Sequence, residues 1–211
     1  MSIVDVVTIA VLGVTGAGKS TFVQRVTQDP SIVIGHSLRA ETRTTASYKF
    51  EHNGIRYEIV DCPGFNDTVR PDSEILEDIV AWLHKAHGEG KLLSAVIYLH
   101  RISDTRVQGT TMTQFRVLQE LCGDEFYRNL ILGTTFWSRV SEEVGRDREA
   151  NLLEVKNFFG EMKDEGARYM RIPDDREGCL AILENVSSNQ RRQLKAQKER
   201  AEGKSFKDTA A

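Results

Sequence analysis

The run Gly13-Val14-Thr15-Gly16-Ala17-Gly18-Lys19-Ser20 has the spacing G-x-x-x-x-G-K-S. That spacing suits a phosphorylated ligand for a physical reason. Glycines let the backbone curl until successive N–H groups point inward at phosphate oxygens, and a helix opening inside the loop adds the positive end of its dipole. Gly13, Thr15, Gly16, Ala17 and Gly18 then form the cradle. Lys19 reaches the β- and γ-phosphates of a nucleoside triphosphate, the Ser20 hydroxyl is a ligand for Mg²⁺, and Thr21 touches the α-phosphate.

A second constellation lies downstream, at Asp61-Cys62-Pro63-Gly64. A carboxylate at a strand end can hold Mg²⁺ through water, and Gly64 can turn its N–H toward a γ-phosphate because it has no Cβ. A plain Asp-x-Pro-Gly turn is the bland alternative. The loop between the two motifs is rich in threonine.

Taken together, Gly13–Ser20, the threonine-rich loop and Asp61-Cys62-Pro63-Gly64-Phe65-Asn66-Asp67-Thr68 resemble the septin-related branch of GTPases. That branch holds the septins, the chloroplast import GTPases and the immunity-associated GTPases. The resemblance covers about residues 5–140 and thins afterward. It implies GTP or GDP as ligand with Mg²⁺ as cofactor. It also implies a switch threonine completing the metal shell beside Ser20 and Asp61. Thr42 is the best match for it, with Thr44 and Thr45 as neighbouring alternatives.

Two departures bear on catalysis. Ras-like enzymes carry a water-orienting glutamine where this chain has Phe65. A phenyl ring cannot orient a nucleophile by hydrogen bonding, so unaided hydrolysis is expected to be slow. Arg101 stands near where the immunity-associated family carries an arginine implicated in stimulating hydrolysis across a nucleotide-facing dimer. A guanidinium near the γ-phosphate stabilises transition-state charge. The alternative is a surface arginine paired with Asp104 or the switch helix.

The base-reading end departs as well. Guanine-specific relatives place a carboxylate after the fifth strand, where this chain reads Thr134-Thr135-Phe136-Trp137-Ser138-Arg139. Thr135, Trp137 and Ser138 are the expected pocket residues. Ser138 stands at the carboxylate's place and lacks the charge-assisted, bidentate pair that rejects adenine. Trp137 can stack on the base or anchor the loop from beneath. Glu142 and Glu143 lie near enough to substitute for the acid, and Arg171-Ile172-Pro173-Asp174 is a weak match to the last base-contacting loop.

These residues need a scaffold. Residues 5–12 form an apolar, β-branched run that ends at Gly13 and reads as a buried strand, followed by a helix over 19–28. Residues 45–51 and 55–61 alternate around Asn53-Gly54, a strong hairpin signal. Further strands are expected at 93–99, 129–135 and 168–172. Helices are expected at 73–87 with Ser73 as N-cap, then at 110–122, 147–165 and 176–200. The result is an α/β fold: a three-layer α/β/α nucleotide-binding domain with a mostly parallel six-stranded sheet and one antiparallel edge strand. Residues 1–200 form one domain and 201–211 a frayed tail. Ligands in such sheets bind beyond the carboxyl ends of the strands, which puts the chemistry just after residues 12, 61, 100 and 135.

Composition narrows the setting. The chain has 211 residues, is 40% hydrophobic and 28% charged, and carries a net charge of −3. That balance argues against nucleic acid as a bulk partner. Three scattered cysteines make neither a disulfide framework nor a zinc spacing, and a reducing compartment follows. The N-terminus lacks a signal peptide's pattern and no run is long enough to span a membrane, so a cytoplasmic protein without direct membrane insertion is expected. His84 and His87 lack a third ligand, and the modestly basic stretch 191–207 reads as a solvated helix. The expected function is GTP binding with slow or dimer-stimulated hydrolysis and nucleotide-dependent switch loops. A nucleotide-dependent homodimer is the expected protein partner. The rivals are an interaction module with negligible turnover and an ATPase with relaxed base specificity.

Overall fold

The computed structural model describes residues 6–32, 44–67, 70–88, 91–105 and 109–203. Six strands form one sheet: β1 (Val6–Gly13), β2 (Ala46–His52), β3 (Ile55–Asp61), β4 (Ala95–Arg101), β5 (Leu130–Thr135) and β6 (Arg168–Arg171), in the order β2-β3-β1-β4-β5-β6. Only β2 runs antiparallel, as an edge strand joined to β3 through Asn53 and Gly54, both at positive φ (49° and 73°). The expected hairpin and the expected mostly parallel sheet are both present.

The central strands are apolar on both faces because helices cover both faces. With a side-chain period of two, Ile9 and Val11 of β1, Ile97 and Leu99 of β4 and Ile131 of β5 enter one core. There they meet Phe22, Val23 and Val26 of α1 (Lys19–Thr27) and Leu180, Leu183 and Val186 of α6 (Arg176–Ser187). Ala10, Leu12, Val96, Tyr98 and Leu132 face the other way. They pack on α2 (Asp72–Gly88) and α3 (Gly109–Cys122), with Leu152 of α4 (Glu142–Glu154) and Met162 of α5 (Glu161–Asp164).

Three expected elements differ from those observed. The helix expected at 147–165 is α4 and α5 separated by a π-turn over Lys156–Gly160, where Phe158 leaves helical geometry (φ −108°, ψ −120°). The helix expected at 176–200 stops at Ser187 and resumes as α7 (Lys195–Ala201). Tertiary hydrogen bonds override the helical period between them. Asn129 Nδ2 donates to the carbonyls of Ser94 and Gln190, Arg192 N donates to Leu93 O, and Gln197 Nε2 donates to Leu83 O. Finally, α2 begins at Asp72, so Ser73 lies inside the helix and is not its N-cap. Of the tail expected to be frayed, 201–211, Ala201 closes α7 and 202–203 form a turn, while residues 204–211 lie outside the described residues.

Candidate functional site

The sheet order reverses direction around β1, and the carboxyl ends of β1, β3, β4 and β5 meet there, as expected of a ligand crevice. At the end of β1, Gly13 has φ 140°, and a Cβ there would lie 2.3 Å from Leu99 O. No other residue fits that approach. The loop then enters α1 at Gly18, whose carbonyl accepts from Phe22 N (2.9 Å). The first-turn amides of a helix have no partner within the helix itself, which is what a phosphate needs.

Lys19 folds back under this loop. Its Nζ donates to Gly13 O (3.1 Å) and Val14 O (3.0 Å), and the residue is 6% exposed. Burial of the ammonium lowers its pKa to about 8, against the Asp61 carboxylate, which raises it. Ser20 Oγ donates to Asp61 Oδ2 at 2.7 Å, and Asp61 is buried. The structure therefore brings together Lys19, Ser20, Asp61 and Gly64. Thr21 is half-buried on the first turn of α1.

The expected switch threonine Thr42 lies outside the described residues. Of its alternatives, Thr44 is exposed, while Thr45 Oγ1 is buried with no partner among the described residues.

Phe65 is buried in the core beside α2. Its main chain pairs with the phosphate loop through the parallel bridge Val14↔Phe65. Arg101 ends β4, and its guanidinium reaches the loop: Nη1 lies 3.3 Å from where a Cβ on Gly16 would stand. Its Nε also pairs with Asp104 at 3.0 Å. A cavity of about 390 Å³ opens beyond Arg101, lined also by His100, Asp104, Arg148, Leu152 and Phe158. Burial lowers the His100 pKa to about 4, although Asp104 opposes this, so the imidazole is neutral at pH 7.

The end of β5 divides the expected base-pocket residues. Thr135 Oγ1 donates to Ala17 O (3.0 Å) with His100 O as a second acceptor at 3.3 Å, so its hydroxyl braces the phosphate loop. Trp137 takes the anchoring role. Its Nε1 donates to Thr134 Oγ1 (2.9 Å), Arg171 Cζ lies 3.7 Å from its ring centroid, and a Cβ on Gly145 would meet Cζ3 at 2.6 Å. Ser138 is exposed in the turn Trp137–Arg139. Glu142 is engaged with Arg146 (2.8 Å) and Arg171 (3.1 Å), while Glu143 is exposed in the first turn of α4.

Sequence reasoning passed over Phe136. It sits in the left-handed region (φ 61°), uncommon for a bulky side chain. Its ring tip comes within 3.8 Å of a Cβ placed on Gly18, and Arg139 Cζ lies 4.2 Å from its centroid. The aromatic facing the loop is therefore Phe136. Its place directly after Thr135 was the available signal.

All three cysteines are buried free thiols. Burial pushes the Cys62 thiol far up, which leaves it inert beside the site. Among the described residues no cluster of three or more His, Cys, Asp or Glu could hold a metal, and no helix is long and apolar enough to cross a membrane.

The model of the 50S ribosome-binding GTPase family matches residues 8–120. GTP-binding protein A of Dictyostelium discoideum is 25% identical over 165 residues, covering 72% of this chain and 36% of that protein. This chain thus spans little more than a third of that relative. Toc33 of Arabidopsis thaliana in complex with Mg²⁺ and GMPPNP superposes with a TM-score of 0.69 at 16% identity, over 90% of this chain and 88% of that one. The chloroplast translocon components atToc33 and psToc159, for whose GTPase activity dimerization is important, give a TM-score of 0.70 at 18% identity, over 90% and 86%. At such identities these structures speak for the fold.

Proposed function

The chain belongs to the 50S ribosome-binding GTPase family, whose model covers more than half of it, and we propose that this GTP-binding domain hydrolyses GTP slowly alone and faster as a homodimer. The observation that carries the reading is the meeting of Lys19 under the phosphate loop with the Ser20–Asp61 pair at 2.7 Å. Loop amides hold the phosphate chain, and Lys19 bridges toward its end.

The donor set suits magnesium. Ser20 and Asp61 offer only oxygens, and Mg²⁺ takes one or two protein oxygens together with waters and phosphates. Ser20 would bind it directly and Asp61 through water, with Thr42 as the proposed third protein contact. When bound, the ion neutralises charge on the β- and γ-oxygens.

Guanine preference is supported by the family. Thr135 supports the loop, Phe136 offers the base an apolar face, and Ser138 is free in solvent to accept one hydrogen bond. Arg101 is proposed as the stimulating cation, supported by its place beside Gly16 and by the dimerizing GTPases of the same fold. A second reading, an interaction module with negligible turnover, is favoured by the burial of Phe65, which leaves no water-orienting group at that position.

Single-turnover GTP hydrolysis at rising protein concentration separates the two. A rate that climbs with concentration supports the dimer-stimulated enzyme. No turnover at any concentration supports the module. Equal affinity for ATP and GTP sinks the guanine assignment.

A further inference from the structure

The phosphate loop and the segment after Asp61 are clasped together. Thr15 N donates to Phe65 O at 2.8 Å, and Phe65 N donates to Gly13 O at 3.2 Å. Thr15 Oγ1 donates to Gly64 O at 3.1 Å. The Phe65 side chain anchors this clasp in the core, at 2% exposure.

The clasp occupies a specific place. A Cβ built on Gly64 would lie 2.6 Å from Lys19 Nζ and 2.6 Å from both Thr15 N and Thr15 Cα. Even a methyl group does not fit there. A γ-phosphate held by Lys19 needs an oxygen about 2.8 Å from Nζ, and a phosphoryl group is larger than a methyl. One loop amide that could meet that phosphate, Thr15 N–H, already donates to Phe65.

We propose that Thr15 and Phe65 form a latch across the γ-phosphate seat, so that the site selects a nucleoside diphosphate over a triphosphate until the latch is drawn. This rests on the reading of the site as a guanine-nucleotide site. The β-phosphate of a diphosphate uses the amides at the start of α1, which the latch leaves alone. A third phosphate enters only when Gly64 and Phe65 withdraw, which breaks three hydrogen bonds and lifts a phenyl ring out of the core. Thr15 and Phe65 thereby set selectivity for phosphate number, independently of base selectivity. Gating by dimer contacts or other partners acts on the same latch, because whatever draws Phe65 away opens the seat.

The test is equilibrium titration with fluorescent GDP and a non-hydrolysable GTP analogue, with ADP and an ATP analogue as competitors. The wild type is expected to favour GDP by tenfold or more. Thr15→Val keeps the shape, removes the hydroxyl bond to Gly64, and shifts the triphosphate-to-diphosphate affinity ratio about fivefold toward the triphosphate. Thr15→Ser restores the wild-type ratio. Phe65→Ala, checked for folding by thermal denaturation, narrows the ratio further. Equal affinity for GDP and the GTP analogue in the wild type overturns the latch, and so does a Thr15→Val change that falls equally on both nucleotides. The guanine reading fails separately, if ADP competes as well as GDP. The diphosphate-to-triphosphate ratio measured with adenine nucleotides then decides the latch by the same criteria.

Discussion

Thr135 Oγ1 donates to Ala17 O at 3.0 Å, tying the end of β5 to the floor of the phosphate loop 118 residues earlier. The contact is buried, so its loss leaves the carbonyl without its partner. Thr135→Val keeps the side-chain volume and removes only the donor. It is expected to lower stability by about 2 kcal/mol, or roughly 6 °C in Tm. Nucleotide affinity should fall by about tenfold as the loop loosens. Calorimetry and nucleotide titration check the two effects, and an unchanged affinity would show that the loop holds its shape without this brace.

Trp137 and Phe136 are adjacent in sequence but stand in different surroundings, and substitution should separate them. Trp137 lies between Gly145 and Arg171 with its N–H on Thr134. Trp137→Ala should cost about 2–3 kcal/mol in stability through lost packing and the lost cation–π contact, with little change in nucleotide affinity. Phe136 faces the loop at Gly18. Phe136→Ala should weaken nucleotide binding by about tenfold, the scale of base–aromatic stacking, with a smaller effect on Tm. The reverse pattern would return Trp137 to the base pocket.

The contrast also marks what the sequence made legible. The strand-to-loop-to-helix grammar of residues 6–27 and the Asn53-Gly54 hairpin follow from local rules, and both formed as expected. The breaks at Phe158 and after Ser187 do not follow from local rules. The break after Ser187 goes with contacts from distant residues such as Asn129 and Leu93, and the one at Phe158 lies where Phe158 and Phe159 meet the ring of Phe115, none of which a helical period can register. Within the site, the phosphate end was legible because backbone geometry demands glycine at fixed spacing. The base end was not, because Thr135 and Trp137 spend their polar atoms on neighbours brought in by the fold. Phe65 illustrates the same limit. Its side chain excludes a glutamine-like role on sequence alone, yet its main-chain grip on Thr15 appears only in three dimensions.

Arg101 holds a carboxylate of its own chain, Asp104, while lying beside Gly16. A stimulating role across a dimer requires it to leave that pair. Arg101→Ala is therefore expected to abolish the concentration-dependent part of GTP hydrolysis and to leave GDP affinity within about twofold. Asp104→Asn, which loosens the arginine's hold, should raise the stimulated rate by a few-fold, the scale of a partly exposed ion pair. Turnover measured against protein concentration reads both variants. Full stimulation in Arg101→Ala removes the arginine from the mechanism.

Lys19 makes nucleotide binding pH-dependent in a direction that can be worked out. Without phosphate, burial holds its pKa near 8, below the ordinary 10.5. The unfolded chain therefore binds more protons than the folded one between pH 8 and 10.5, and Lys19's penalty on folding is relieved as pH rises through that window. A bound phosphate chain reverses the balance, since the anion favours the charged ammonium and draws a proton onto Lys19. Nucleotide affinity should then be flat below pH 7 and fall by about tenfold between pH 7 and pH 9. Lys19→Met should bind more weakly at pH 7 and lose this slope. Titration of fluorescent GDP across pH 6–9 checks both curves. A wild-type curve that stays level through pH 9 would mean that Lys19 keeps its proton in the empty loop, and that the carboxylate of Asp61 outweighs burial there.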